Sequence, residues 1–324
     1  MRSINNKDIT VVVQGQIVGK KDGDLKTQHT SISLKSIRKH LPGATIVLST
    51  WQGSDVEGLD YDILVENIDP GMNMMGEYLS NCFRQVVSTK NGLDICKTKY
   101  ALKIRSDIEI QSTNFIDLFE LYGQIPFDEQ YKILNQRVVI MTTCNPHRRY
   151  KLPFTASDWF YFGVTEDLIN IFDIDLVERH EYVLNKAGDR YLATNPYYPE
   201  QYMWTQFIRK HQDISFTHSE DTSHNNIELS ERYFANNTIM LSARQIKMTC
   251  LKYPGKVYAQ TPSLSNSGLY TFNEYKKLLN TYTPNNLTII PDPIESICYF
   301  VVYNLRFIIK RSYLYIVKIL HIPA

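Results

Sequence analysis

Runs of β-branched and aliphatic residues alternate with helix-patterned stretches through the first third of the chain, and this alternation constrains the fold more than any other feature. Ile9 to Val13 is an unbroken β-branched run ending in Gln14-Gly15-Gln16, the pattern of a buried strand. A helical stretch, roughly Thr27 to His40, follows with Ile32, Leu34, Ile37 and Leu41 as apolar positions, and Leu41-Pro42-Gly43 stops it. Ala44 to Ser49 reads as the next strand, followed by Thr50-Trp51, and Tyr61 to Val65 as a third. Met75 to Lys90 reads as a helix and Tyr100 to Ile104 as a fourth strand. Strands separated by helices predict an α/β fold with a mostly parallel central sheet flanked by helices. Ligands of such sheets sit at the carboxyl ends of the strands, where Gln14, Thr50 and Asp107 fall.

Further along, Val138 to Met141 reads as a strand, Phe154 to Gly163 as an aromatic block bordering a pocket, and Pro199 to His211 as a helix. His218 to Asn226 reads as a polar loop, and Phe234 to Leu241 as a further strand. Tyr253 to Pro293 has scattered Pro, Ser, Asn and Gly and reads as a loop-rich connection with one short helix near Asn273 to Leu279. Glu295 to Ala324 is helix-compatible until Pro323. Arg306, Lys310, Arg311 and Lys318 gather toward one side there, away from Val301, Leu305, Ile308, Ile316 and Ile319. That is the pattern of a basic amphipathic helix lying on an anionic membrane.

Charge and cysteine content narrow the partners and the compartment. Lys and Arg number 35 against 34 Asp and Glu, so no global positive field points to nucleic acid. Five scattered cysteines, without C-x-x-C spacing, argue against a disulfide framework or a structural zinc site. Met1 to Ile9 carries charges and no apolar run, so no signal peptide is expected. No uncharged apolar stretch reaches the ~20 residues of a spanning helix. The expected location is cytoplasmic, peripheral on the inner face of the bacterial cytoplasmic membrane.

The sharpest motif is Lys103-Ile104-Arg105-Ser106-Asp107-Ile108-Glu109. If the backbone stays extended, period-2 alternation puts the Asp107 and Glu109 carboxylates on one side. Two such carboxylates suit a hard cation, Mn2+ or Mg2+, with diphosphate oxygens completing its shell. This is the logic of the D-x-D motif of nucleotide-sugar-dependent glycosyltransferases. Lys103 and Arg105 share strand parity with Asp107, which favours a charged cleft over a dry core.

With these stretches in view the chain resembles the WavE-type lipopolysaccharide-synthesis family. The resemblance is carried by Ile9 to Gln16, Ile46 to Trp51, Asn81 to Ser88 with Gly92-Leu93, Tyr100 to Ile108, Ser157 to Gly163, and Pro199-Glu200-Gln201-Tyr202, in that order over roughly the first 250 residues. It implies a GT-A-like glycosyltransferase fold and a role in extending lipopolysaccharide core, O-antigen or capsule. On that footing 1–250 is the catalytic domain, with a donor half of about 1–125 and an acceptor half of about 126–250. Residues 251–293 form the connection and 294–324 the membrane-associating helix. The expected partners are a nucleotide-sugar donor, a lipid-linked oligosaccharide acceptor and the inner-membrane surface.

Individual residues take expected roles. Gln14 and Gly15 end the first strand, where base and ribose sit in such sheets, and Thr50 ends the second. Asn81, Arg84 and Gln85 lie on one helical stretch, and Arg84 suits diphosphate as a fixed fork of donors. Lys103 and Arg105 flank the acidic motif. Asp158, beside Trp159, is a candidate base in apolar surroundings; Glu200 is its rival. Trp159 and its neighbours would offer a sugar-stacking platform. Asp107 would hold metal, with Glu109 or His218 completing the shell. Two other functions remain open: a sugar-1-phosphate nucleotidyltransferase, and a non-catalytic assembly factor on the membrane.

Overall fold

The computed structural model describes residues 3–19, 28–75, 78–142, 152–177, 183–187, 190–194, 197–252, 270–284 and 289–320. A seven-stranded sheet organises the chain: β1 (Ile9–Gln14), β2 (Thr45–Trp51), β3 (Ile63–Asn67), β4 (Tyr100–Arg105), β5 (Val138–Met141), β6 (Phe160–Val164) and β7 (Thr238–Leu241). Its order is β7-β5-β6-β4-β1-β2-β3. Every neighbouring pair is parallel except those of β6, which runs antiparallel to β4 and β5. The expected α/β class, with a mostly parallel sheet flanked by helices, is the class observed. All six residues of β1 are buried, as an apolar run at the centre of a two-sided sheet must be.

The helices longer than one turn are α1 (His29–His40), α2 (Cys82–Asp94), α3 (Asn114–Tyr122), α4 (Thr165–Phe172), α5 (Pro199–Arg209), α6 (His224–Asn237), α7 (Phe272–Tyr282) and α8 (Pro293–Leu320). The chain steps outward from β1 to β2 and back from β3 to β4. Right-handed crossovers therefore put α1 and α2 on opposite faces. The first turn of α2 stands at the carboxyl edge, because α2 runs from the end of β3 back toward the start of β4.

Two segments differ from expectation. The helix expected from Met75 begins only at Cys82; Asn73–Met75 and Tyr78–Ser80 pair first as a hairpin. The Asn73 Oδ1 accepts from the Phe83 N–H at 3.2 Å and the Ser80 hydroxyl from the Cys82 N–H at 3.0 Å. Side chains that satisfy first-turn donors set a helix start. The strand expected from Phe234 is strand only from Thr238, because α6 occupies His224–Asn237, including part of the expected polar loop. A short apolar run such as Phe234-Ala235 serves the last helical turn as well as a strand.

Residues 253–269 and 285–288 of the expected connection lie outside the described residues. Its short helix is present as α7, with Thr271 and Glu274 forming a capping box. The Tyr275 hydroxyl donates to the Thr238 carbonyl at 2.6 Å, which seats α7 on β7. The C-terminal helix is present as α8. It is fastened to α7 where Asn273 Nδ2 donates to the Ser296 hydroxyl, and Tyr299 is buried. Ile294, Ile297, Val301, Leu305 and Ile308 form an exposed stripe on its other side. Arg306 and Arg311 are exposed; Lys310, Ile316, Lys318 and Ile319 lie outside the residues whose side chains are described. No helix among the described residues is long and apolar enough to cross a membrane.

Candidate functional site

β4 ends at Arg105, and the chain turns through Ser106-Asp107 into a short strand, Ile108–Ile110, which pairs with Met248–Cys250. Ser106 fixes the turn: its N–H donates to the Gln14 carbonyl at 3.0 Å and its hydroxyl to the Gln16 carbonyl at 2.6 Å. Asp107 and Glu109 are therefore not on one extended strand. Glu109 is half-buried between buried Ile108 and Ile110. The Asp107 side chain folds back onto Arg105, whose Nε and Nη2 donate to its two oxygens at 3.0 and 2.7 Å. The guanidinium lies 4.3 Å from the Trp159 ring centre.

The antiparallel β6 brings the other half of the site. Ile104 pairs with Phe160, so the residues just before β6, Asp158 and Trp159, stand beside the end of β4. The loop leading to them is held from two helices. Gln201 of α5 donates to the Pro153 carbonyl at 2.9 Å, and Ser230 of α6 accepts from the Phe154 N–H at 2.7 Å. Phe154 adopts φ +57°, a strained conformation for an aromatic residue that the surroundings must enforce. Asp158 is 3% exposed, and its Oδ2 is buried without a hydrogen-bond partner among the described residues. A buried carboxylate oxygen left unpaired costs stability, and function is one reason to keep it.

Lys103 is completely buried. Its ammonium donates to the Asp158 carbonyl and lies 5.7 and 5.5 Å from the ring centres of Tyr161 and Phe172. Burial lowers it to about 8, against the attraction of Asp158 and, more weakly, of Asp107. The expected grouping of Lys103, Arg105 and Asp107 exists, but Lys103 and Asp107 lie beneath the surface and only Arg105 is part-exposed. The aromatic block is core too: Phe154, Phe160, Tyr161 and Phe162 are buried, and Arg105 stacks on Trp159, so these rings offer no open sugar platform.

The depressed Lys103 predicts a pH signature. Between about pH 8 and 10.5 the unfolded chain binds the proton that the folded chain has lost, so the lysine's penalty on folding shrinks as pH rises. Relative to Lys103→Met, wild-type stability should gain about 3 kcal/mol across that window, at about 1.4 kcal/mol per unit. Urea titrations of both proteins at pH 7 and 10 measure it; a constant difference would mean that Lys103 keeps its proton in the folded chain up to pH 10 and is not depressed.

α2 and α5 bring their first turns together at the same edge, where Cys82 Sγ lies 3.8 Å from the Pro199 carbonyl. Burial, then Glu200, then Asp158 push the Cys82 thiol upward, which places both candidate bases near one point. Glu200 sits in the first turn of α5, where the helix dipole favours its charge. Asn81 and Arg84 are together, but Arg84 forks onto Asp69 at 2.7 and 2.6 Å and also donates to Asn81. Gln85 is half-buried, and its buried Oε1 has no partner among the described residues.

Gln14 reaches the carboxyl edge, yet its side chain is buried under α2 and accepts from the Ser88 hydroxyl at 2.7 Å. Ser49 donates to the Ser88 carbonyl, Asn67 to Ser49, and Asn91 to Asn67. This ladder fastens α2 across three strands, and the sequence reading missed its last four members. Polar residues closing apolar runs, Ser49 and Asn67, were the available signal. Gly15, at φ +109°, donates its N–H to the Ser49 carbonyl, a turn that disfavours any side chain. Thr50 is buried, with its hydroxyl 3.3 Å from that of Ser54.

His218 lies near the first turn of α5, since the Ser219 carbonyl accepts from Gln201, and its Nδ1 is buried without a partner among the described residues. Among the described residues no three His, Cys, Asp or Glu side chains gather as a metal-binding group. Asp107 offers both oxygens to Arg105, and Lys103 and Arg105 already balance Asp107 and Asp158. These residues do not fit a preformed Mn2+ or Mg2+ site. A separate cleft of about 490 Å³, lined by Phe127, Arg232 and Tyr282 among others, lies at the opposite edge of the sheet.

A family model described as WavE lipopolysaccharide synthesis matches residues 9–298. No curated protein matches the chain. Among solved structures, an active-site mutant of LgtC aligns over 73% of this chain and 73% of its own, at 10% identity and a TM-score of 0.36. The apo glycosyltransferase GlyE of Streptococcus pneumoniae TIGR4 aligns over 73% of this chain and 45% of its own, at 9% identity and 0.32. A cytidylyltransferase of Leptospira borgpetersenii serovar Hardjo-bovis aligns over 52% of this chain and 66% of its own, at 10% identity and 0.33. The chain thus spans under half of GlyE and just under two thirds of the cytidylyltransferase. Likenesses of this size carry no argument here; the strand order described above is what defines the fold.

Proposed function

The chain belongs to the WavE lipopolysaccharide synthesis family, and we propose that it is a glycosyltransferase. It moves a sugar from a nucleotide-sugar donor to a lipid-linked lipopolysaccharide core, O-antigen or capsule acceptor. The observation that carries this reading is the buried Asp158 carboxylate, with one unpartnered oxygen, beside Arg105 at the carboxyl edge of a parallel sheet. That edge is where such sheets take their ligands.

The donor diphosphate lies against Arg105, and the acceptor hydroxyl points at Asp158. The hydroxyl oxygen attacks the anomeric carbon, and the bond from that carbon to the diphosphate oxygen breaks. Its electron pair leaves with the nucleoside diphosphate while the hydroxyl proton passes to Asp158. Glu200, near the same point, is the alternative acceptor of that proton.

The α8 helix supports a site of action on the inner membrane face. Its apolar stripe is turned away from the body of the protein, and Glu295 is its only acidic residue against Arg306, Lys310, Arg311 and Lys318. A helix of this kind binds anionic lipid surfaces and would hold the enzyme at a lipid-linked acceptor.

The test is a thermal-shift panel of UDP-, GDP-, CMP- and dTDP-sugars, each with Mn2+ and with EDTA, followed by flotation with anionic and neutral vesicles. Stabilisation by one nucleotide class and flotation with anionic vesicles alone are expected. Release of pyrophosphate from a nucleoside triphosphate and a sugar 1-phosphate would replace the reading with nucleotidyl transfer.

A further inference from the structure

Four observations at the end of β4 concern Arg105. Its fork onto Asp107 is bidentate, the strongest and most orienting form of such a pair. The Arg105 side chain is 22% exposed and the Asp107 side chain 4%, so an incoming ligand meets the cation rather than the carboxylate. Nη1 has no hydrogen-bond partner among the described residues and is not buried. The Trp159 ring backs the guanidinium at 4.3 Å, which holds its plane while the free edge faces outward. A dication ligated by Asp107 would have to displace this fork and would leave two like charges side by side.

Resting on the transferase reading, we infer that Asp107 is a positioning residue for Arg105 rather than a cation ligand. The Arg105 guanidinium is then the protein's own counter-charge for the donor diphosphate, and donor binding needs no divalent ion. Planar, paired donors on a fixed guanidinium match phosphate oxygens better than a lysine ammonium does. Asp107 supplies the orientation in advance, so less freedom is lost on binding.

Isothermal titration with inorganic pyrophosphate in EDTA, and separately with MnCl2 alone, tests this. Pyrophosphate should bind the wild-type protein without metal. Arg105→Lys should weaken that binding by about ten- to a hundredfold, the range of one charge-assisted hydrogen bond, in a protein that still unfolds cooperatively but at a lower temperature, because the fork onto Asp107 is lost. Asp107→Asn should weaken it too, and Asp107→Glu should restore part of it, because only a carboxylate accepts both guanidinium donors. Pyrophosphate binding that requires Mn2+, or Mn2+ binding that disappears in Asp107→Asn, overturns the inference and leaves the transferase reading standing. If neither pyrophosphate nor any sugar nucleotide binds with or without Mn2+, both fall.

Discussion

Replacing Asp158 with Asn is expected to lower the turnover of sugar transfer by about a hundred- to ten-thousandfold, the range of a lost general base, without loss of stability. The second half of that expectation comes from the structure. Asp158 Oδ2 is buried without a partner among the described residues, so the carboxylate's desolvation offsets what its attraction to Lys103 and Arg105 returns to the fold. An amide of the same shape removes that charge, and residues kept at a cost to stability are a mark of a working site. The melting temperature should stay level or rise. The Lys103 hydrogen bond survives, because it is made to the Asp158 backbone carbonyl. Glu200→Gln is the matched control. If the collapse of turnover belongs to Glu200→Gln instead, the base is Glu200. If Asp158→Asn melts several degrees lower and keeps its turnover, Asp158 serves only to balance the buried Lys103.

The largest effect on folding is expected at Gly92. On an exposed helix face, replacing Gly would gain up to about 1 kcal/mol in helix propensity. Here a Cβ would stand 2.5 Å from Val12 Cγ1 and 3.1 Å from Ser49 Cβ. Val12 is a stiff side chain in the central strand, so it has little room to yield. Gly92→Val should therefore cost about 3 kcal/mol or more, the upper range of overpacking in a filled core. Lifting α2 would also strain the ladder that joins Gln14, Ser88, Ser49 and Asn67. Urea denaturation checks this, and a second substitution, Val12→Ala, should recover part of the loss, since the two sites touch and couple. An unchanged midpoint for Gly92→Val would mean that α2 does not seat on β1 and β2 as described.

The strands were the most legible part of the chain. β1, β2 and β4 are buried on both faces, so they read as apolar runs that water would not tolerate. Helix starts were harder. α2 waits for the Asn73 and Ser80 side chains to cap it, and α6 begins among polar residues that carry no apolar period of their own. The family was also legible, because several short segments kept their order along the chain. Lys103 shows the limit: strand parity grouped it with Arg105 and Asp107, but parity does not say whether a face is wet or dry.

The sequence by itself determined the alternation of strand and helix, and hence the parallel sheet and the edge where a ligand would lie. It also placed Arg105 and Asp107 close to that edge. Tertiary structure alone decided how they meet. The turn at Ser106 exists because carbonyls of residues 14 and 16, some ninety positions earlier, accept its N–H and hydroxyl. That turn folds Asp107 onto Arg105 and takes Glu109 out of line. The antiparallel β6 brings Asp158 beside them, and α5 and α6 hold its loop in place. Each of these contacts joins residues far apart in the chain, and local propensity and period describe only near neighbours.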